Sequence, residues 1–112
     1  TTITAQKKIF TILDVNGNQT SYKKVLKEAQ KSNIVLFGEL HDNPINHWLQ
    51  LELTNDIYNK SDKLTLGAEM MESDNQLVID EYLSGLISES KLISESKTWP
   101  NFKTDYLPLI QF

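Results

Sequence analysis

Residues 34–44 read Ile34-Val35-Leu36-Phe37-Gly38-Glu39-Leu40-His41-Asp42-Asn43-Pro44. Four apolar side chains in a row, two of them β-branched and none alternating with a polar one, form the pattern of a strand buried on both faces in a parallel sheet. Gly38 ends that run. Asp42 or Asn43 can accept the free N–H groups that open a helix, and Pro44 fits the first helical position, where its missing N–H costs nothing. The helix is expected to reach Asn59, because Ile45, Leu49, Leu53 and Ile57 recur every fourth residue with Trp48 beside them.

Downstream, Leu64-Thr65-Leu66-Gly67-Ala68 reads as a second buried strand, with Glu69-Met70-Met71-Glu72 leaving its carboxyl end. Ser73 or Asp74 is expected to cap a helix carrying Leu77, Val78, Tyr82 and Leu83. The segment 34–68 has the length that a right-handed parallel crossover requires. The near-repeat Ile87-Ser88-Glu89-Ser90-Lys91 and Ile93-Ser94-Glu95-Ser96-Lys97 predicts a short capped helix with Leu92 and Ile93 inward. Trp99-Pro100-Asn101 is a turn, and residues 102–112 open another helix, with Pro108 inside its first turns or at a restart. Upstream, Ile9 to Val15 predicts a strand, Asn16-Gly17 a tight turn, and Thr20 or Ser21 the cap of a helix to Lys31 with Tyr22, Val25, Leu26 and Ala29 on one face.

The order is β-α-β-α-β followed by helices. The expected fold class is α/β: a partial, mostly parallel sheet with flanking helices, in one incomplete domain over 1–112. Its parts are an N-terminal strand and helix over 1–32 and a main region over 33–112. Doubly covered parallel strands normally belong to sheets of about five or six strands, and only two or three are found. The chain also ends on Leu109-Ile110-Gln111-Phe112 without a capping glycine. The expectation is therefore the N-terminal part of a larger domain, or a sheet that a partner chain completes.

Composition narrows the function. Of 112 residues, 39% are hydrophobic and 23% charged, as in a folded globular chain. The longest apolar run falls far short of the roughly 20 residues a membrane helix needs. No signal-peptide pattern opens the sequence, and Thr1 in place of a start methionine implies removal of upstream residues. All eleven basic residues are lysine. The absence of arginine argues against nucleic acid and bidentate phosphate recognition. The net charge of −4 is uneven: +4 over residues 1–31 and −8 over 32–112, which does not suit a polyanionic partner. The basic N-terminal segment is either a solvated face or a membrane-surface contact. With no cysteine, disulfides, thiolate metal sites and cysteine nucleophiles are excluded.

Ligands of parallel sheets bind at the carboxyl ends of the strands. Glu39 and His41 follow one expected strand and Glu69 the other. If the backbone stays extended past Gly38, Glu39 and His41 point to the same side. His41 and His47 are the only two histidines. His41 can ligate a metal or accept a proton, or it is a loop histidine with a local hydrogen bond. His47 lies in the first helical turn as a site residue or as an exposed one. The spacing between the two does not match the i, i+4 pair of helical zinc motifs. Glu39 and Glu69 suit metal binding or acid–base work, or serve as helix caps. Met70, Met71 and the four tyrosines are haem ligands by residue type, and each also sits where a core side chain would.

The order of the motifs resembles the ChaN-type haem-binding lipoproteins, the haem-binding uptake family of the Tiki and erythromycin-esterase-like superfamily. One block is the stretch 34–44 with His47 and Gln50. A second is Leu66-Gly67-Ala68-Glu69-Met70 with Gln76, Asp80, Tyr82, Leu83 and Gly85, and a third is Trp99-Pro100 with Tyr106 and Pro108-Leu109. The resemblance covers 33–112. It implies an α/β fold of which this chain is the first half. It also implies haem as cofactor, a role in iron or haem uptake rather than catalysis, a homodimer, and a bacterial cell-envelope location with a lipid anchor outside this chain. Glu39, His41, His47 and Glu69 would then line the haem site, with Trp48, Met70 and Met71 packing against the plate. Where such proteins often show paired histidines at the helix start, this chain has Asn46-His47. The resemblance places no axial iron ligand on a residue here. The superfamily's hydrolytic branch gives the alternative: a metal-dependent hydrolase in which Glu39, His41 and Glu69 hold Mn²⁺, Fe²⁺ or Zn²⁺.

Overall fold

The computed structural model describes residues 9–61 and 63–111. The chain divides into two compact units, Thr1–Leu36 and Phe37–Phe112. The division falls inside the apolar run 34–37 rather than ahead of it.

In the first unit, strand β1 (Ile12–Leu13) pairs antiparallel with β2 (Gln19–Thr20), Ile12 opposite Thr20 and Leu13 opposite Gln19. Asp14 builds the turn between them. Its Oδ1 accepts from the amides of Asn16 at 2.9 Å and Asn18 at 3.0 Å. Gly17 takes φ +80°, a conformation that favours glycine and makes Asn16-Gly17 the turn that the sequence predicts. The strand is shorter than the expected Ile9 to Val15. Helix α1 (Tyr22–Ala29) is capped by Ser21, whose hydroxyl accepts from the Lys24 amide at 3.3 Å. It half-buries Tyr22, Val25 and Leu26, buries Ala29 and leaves its lysines exposed.

In the second unit, helix α2 (Pro44–Tyr58) starts as predicted. The Asn43 side chain accepts from the amides of Ile45 at 3.0 Å and Asn46 at 3.1 Å, and Pro44 follows at once. The buried residues of α2 are His47, Leu53 and Thr54, so its inward face is partly polar. A single 3₁₀ turn (Ser73–Asn75) leads into α3 (Gln76–Leu83). Gly85 at φ +73° closes α3, with the Leu86 amide on Glu81 O and the Gly85 amide on Tyr82 O, both at 2.9 Å. This pair of bonds satisfies the last helical carbonyls. Helix α4 (Glu89–Glu95) is capped by Ser88 and turns Leu92 fully inward.

The expected helix over 102–112 is instead a π-helical turn (Phe102–Tyr106) followed by α5 (Leu107–Ile110). Pro108 explains the difference. Proline brings no N–H for the carbonyl four residues back, and its ring crowds that carbonyl. The wider turn, with the Leu107 amide on Phe102 O, brings the chain to Pro108 at a helix start. Met70, Leu92, Phe102, Tyr106 and Leu107 form the core, and Val78, Ile79, Tyr82, Ile93, Trp99 and Ile110 pack around it.

The two runs expected as buried parallel strands differ from expectation. Among the described residues, the only sheet is the β1–β2 pair, and neither 34–37 nor 64–68 carries a strand ladder. Ile34 is 78% exposed and Leu36 is 91% exposed. A strand covered on both faces needs neighbours along its edges to take its N–H and C=O groups and helices over its faces. Neither run has an edge neighbour here. Among the described residues, helices and a small antiparallel pair are present, and no parallel sheet is formed.

Candidate functional site

The site forms where residues 39–47 meet the turn at 99–106, within the second unit. The Glu39 side chain is only 9% exposed, yet it carries a carboxylate. Its Oε1 takes two donors: the Tyr106 hydroxyl at 2.5 Å and the His41 ring nitrogen Nδ1 at 3.1 Å. Glu39 and His41 thus meet, as alternation along an extended backbone predicts. Burial works to push the Glu39 pKa up. The Tyr106 hydroxyl, His41, the charge of His47 and the Gln50 side chain outweigh it and hold the carboxyl below its ordinary range. For Tyr106, burial and then the neighbouring carboxylate push the phenol pKa well up, so it stays a neutral donor.

An ionised carboxylate has no proton to give. The His41 Nδ1 must therefore carry the hydrogen in the bond to Glu39. The His41 side chain is 59% exposed, and its ring stands edge to face against Trp99 with centroids 4.7 Å apart. His41 borders an open groove of about 460 Å³ lined also by Asp42, Trp99, Pro100, Asn101 and Asp105.

His47 is buried beneath this groove, its side chain 3% exposed. Nε2 lies 3.2 Å from the His41 carbonyl and 3.7 Å from Asp105 Oδ2. Nδ1 lies 3.7 Å from Glu39 Oε2 and has no hydrogen-bond partner. Its ring packs edge to face on Tyr106 with centroids 4.7 Å apart. Asn101 fastens the two halves of the site. Its Nδ2 donates to the His41 carbonyl at 2.7 Å and to Asp105 Oδ2 at 2.8 Å. The Asn101 bond first, then Thr104 and the charge of His47, hold the Asp105 carboxyl below its ordinary range against partial burial.

Of the expected site residues, Glu39, His41 and His47 therefore come together, and His47 is buried rather than exposed. Glu69 does not join them: it is exposed and makes no hydrogen bond or ion pair among the described residues. Among those residues, no group of three or more His, Asp or Glu side chains is arranged to hold a metal ion. Met70 is a core residue, and Trp48 is exposed. A second cavity of about 630 Å³ is lined by Tyr58, Leu66, Met70, Met71, Leu83 and Ile110, among others.

The sequence does not mark Trp99, Asn101 and Asp105 as site residues, and it offers Tyr106 as a haem ligand by residue type or as a core side chain. Tyr106 is indeed 1% exposed, and its hydroxyl is also the donor that meets Glu39. A buried phenol requires a partner for its hydroxyl, and that was the available signal. Nothing local marked Asn101.

A family model described as haem-binding uptake, Tiki superfamily, ChaN matches residues 25–112. No curated protein and no solved structure matches the chain.

Proposed function

Since the chain belongs to the haem-binding uptake family of the Tiki superfamily, ChaN, we propose that it binds haem in the groove beside His41 and presents Nε2 of His41 to the iron. One observation carries the reading. Glu39 takes the Nδ1 hydrogen of an exposed histidine that lines an open groove, and the neutral form of that ring has Nε2 left to offer a ligand. Metal-ligating histidines are held in this manner, with a carboxylate on the far nitrogen that fixes the tautomer and raises the basicity of the ligand.

The donor set fits haem. The porphyrin fills four positions of the iron and asks the protein for one or two axial ligands. A divalent ion in an open catalytic site asks for about three protein ligands. Glu39 is already engaged by two donors, and Glu69 stands apart, so His41 offers a single bare nitrogen. When bound, haem supplies an iron centre with redox and ligand-binding chemistry. The chain supplies the imidazole, the carboxylate behind it and the Trp99 ring as an apolar neighbour. Asp42 and Asp105 line the groove, so they would repel the carboxylates of a bound haem, which solvent or a lysine would have to meet.

The groove is open, and its lining would leave one side of a bound haem uncovered. A second copy of the chain supplies the other wall in this reading, giving a homodimer. Its place is uptake of haem or iron in the bacterial envelope, with a lipid anchor outside the residues described. In the complete domain the runs 34–37 and 64–68 are parallel strands, which accounts for their apolar, unalternating character.

Haem titration followed by absorbance in the Soret region tests the function. The expected result is a saturable shift, and an affinity at least tenfold weaker for His41→Ala. The reading is overturned by no saturable shift in the unaltered protein, or by equal affinity in the variant.

A further inference from the structure

We infer that Tyr106 is the positioning residue of this site: through Glu39 it locks His41 in the tautomer that leaves Nε2 bare. The inference rests on the reading that His41 is the group presented to haem.

Tyr106 and His41 both bond the same carboxylate oxygen, Oε1 of Glu39. A carboxylate on a loop can rotate, and its two oxygens can exchange roles. The Tyr106 hydroxyl removes that freedom, because its ring is buried in the core and packed edge to face on both His47 and Trp99. Burial and the adjacent carboxylate keep the phenol protonated, so it remains a donor across the physiological range. The rigid core thereby fixes Oε1, and the fixed oxygen accepts the Nδ1 hydrogen of a half-exposed ring. Asn101 completes the arrangement at the backbone, donating to the carbonyl of the same histidine. Trp99 stands edge to face against both His41 and Tyr106.

A free imidazole exchanges between its two neutral tautomers, and one of them puts a hydrogen where the iron would bind. Holding one tautomer prevents that loss before haem arrives. Outer partners of metal ligands typically account for about 10–100-fold in affinity. Tyr106→Phe keeps the ring and its packing and removes only the hydroxyl.

The test reads the histidine directly. Nitrogen-15 spectra of the haem-free protein, at a pH where imidazole is neutral, are expected to show His41 with its hydrogen on Nδ1 alone. In Tyr106→Phe the signals are expected to move toward a mixture with the Nε2–H form, and haem affinity to fall about 10–100-fold. Tyr82→Phe, which loses a hydroxyl bonded to Gln111, is expected to change neither. Tyr106→Phe that retains the pure Nδ1–H form and full haem affinity overturns the inference. So does an unaltered protein whose His41 carries its hydrogen on Nε2, a result that needs no variant to fold. A locked tautomer in an unaltered protein that takes up no haem overturns the haem reading and leaves the hold of Tyr106 on His41 standing.

Discussion

Asn101 and His41 are separated by 60 positions in sequence, and a hydrogen bond of 2.7 Å joins the side-chain amide of the first to the backbone carbonyl of the second. The same amide nitrogen reaches Asp105 at 2.8 Å. One side chain therefore ties the loop that carries Glu39 and His41 to the turn that carries Asp105 and Tyr106. Asn101→Ala removes both bonds and leaves the Asp105 carboxylate without its strongest partner. A typical lost hydrogen bond costs about 0.5–1.5 kcal/mol, and one to a charged group about 1.5–3 kcal/mol. Urea unfolding is expected to show a loss of about 2 kcal/mol. Asn101→Asp is expected to lose more, because a carboxylate cannot donate and would face Asp105 with like charge. A variant Asn101→Ala as stable as the unaltered protein would show that the bond does not form in solution.

Two depressed carboxylates of the site contribute to the acid limit of the fold. Glu39 and Asp105 have folded pKa values below their ordinary ones of 4.5 and 3.8. Below its folded pKa each group is protonated in both states and contributes nothing. Above its unfolded pKa each contributes its full stabilisation. These groups are therefore expected to leave stability unchanged from pH 7 down to about 5 and to reduce it progressively below that. Glu39→Gln carries no titrating group at this position, and its stability is expected to fall less steeply with acid. Melting temperatures measured from pH 7 to pH 3 decide the matter. Parallel profiles for the two proteins would remove Glu39 from the account.

Tyr106 also limits the fold at the alkaline end. Its raised pKa means that the unfolded chain ionises this phenol before the folded one does. Its contribution is present below the ordinary phenol value of 10.0 and is lost as pH rises through the folded value.

The core argues from volume. Leu92 is fully buried against Met70, Phe102 and the residues around them. Leu92→Ala deletes that packing and leaves a cavity, at a cost of about 2–5 kcal/mol. Total stabilities of about 5–15 kcal/mol make this a large fraction. Chemical denaturation is expected to show a midpoint shift of that size, while Leu77→Ala, at a residue 68% exposed, is expected to stay within about 0.5 kcal/mol.

The legible parts of this chain were those written locally. Asn43-Pro44, Asn16-Gly17 and Ser21 each set an element boundary through bonds to residues two or three positions away, and each is a boundary that the sequence offers. The pairing of Glu39 with His41 was legible for the same reason. The π-helical turn before Pro108 depends on how proline is accommodated, which spacing alone does not specify. Asn101, Asp105 and Tyr106 enter the site through contacts spanning about 60 residues, and no local pattern encodes them. The apolar runs 34–37 and 64–68 carry the composition of covered strands without a ladder, because pairing belongs to the neighbour as much as to the strand.

The two histidines, six positions apart, are expected to fail in opposite ways. His41 is 59% exposed at the side chain and lines the groove, so His41→Ala is expected to change stability by no more than about 0.5 kcal/mol while weakening haem binding at least tenfold. His47 is 3% exposed, reaches the His41 carbonyl and sits between Glu39 and Asp105. His47→Ala leaves a cavity and two less satisfied carboxylates, and it is expected to cost about 2–3 kcal/mol. At a temperature where it is still folded, it is expected to bind haem with affinity closer to the unaltered protein than His41→Ala does. Thermal melts and haem titrations on both variants provide the comparison. If His47→Ala abolishes the Soret shift while folded and His41→Ala keeps it, the iron is held from the buried side and the groove is not its site. If both keep the affinity of the unaltered protein, the nitrogen offered to the iron comes from neither histidine.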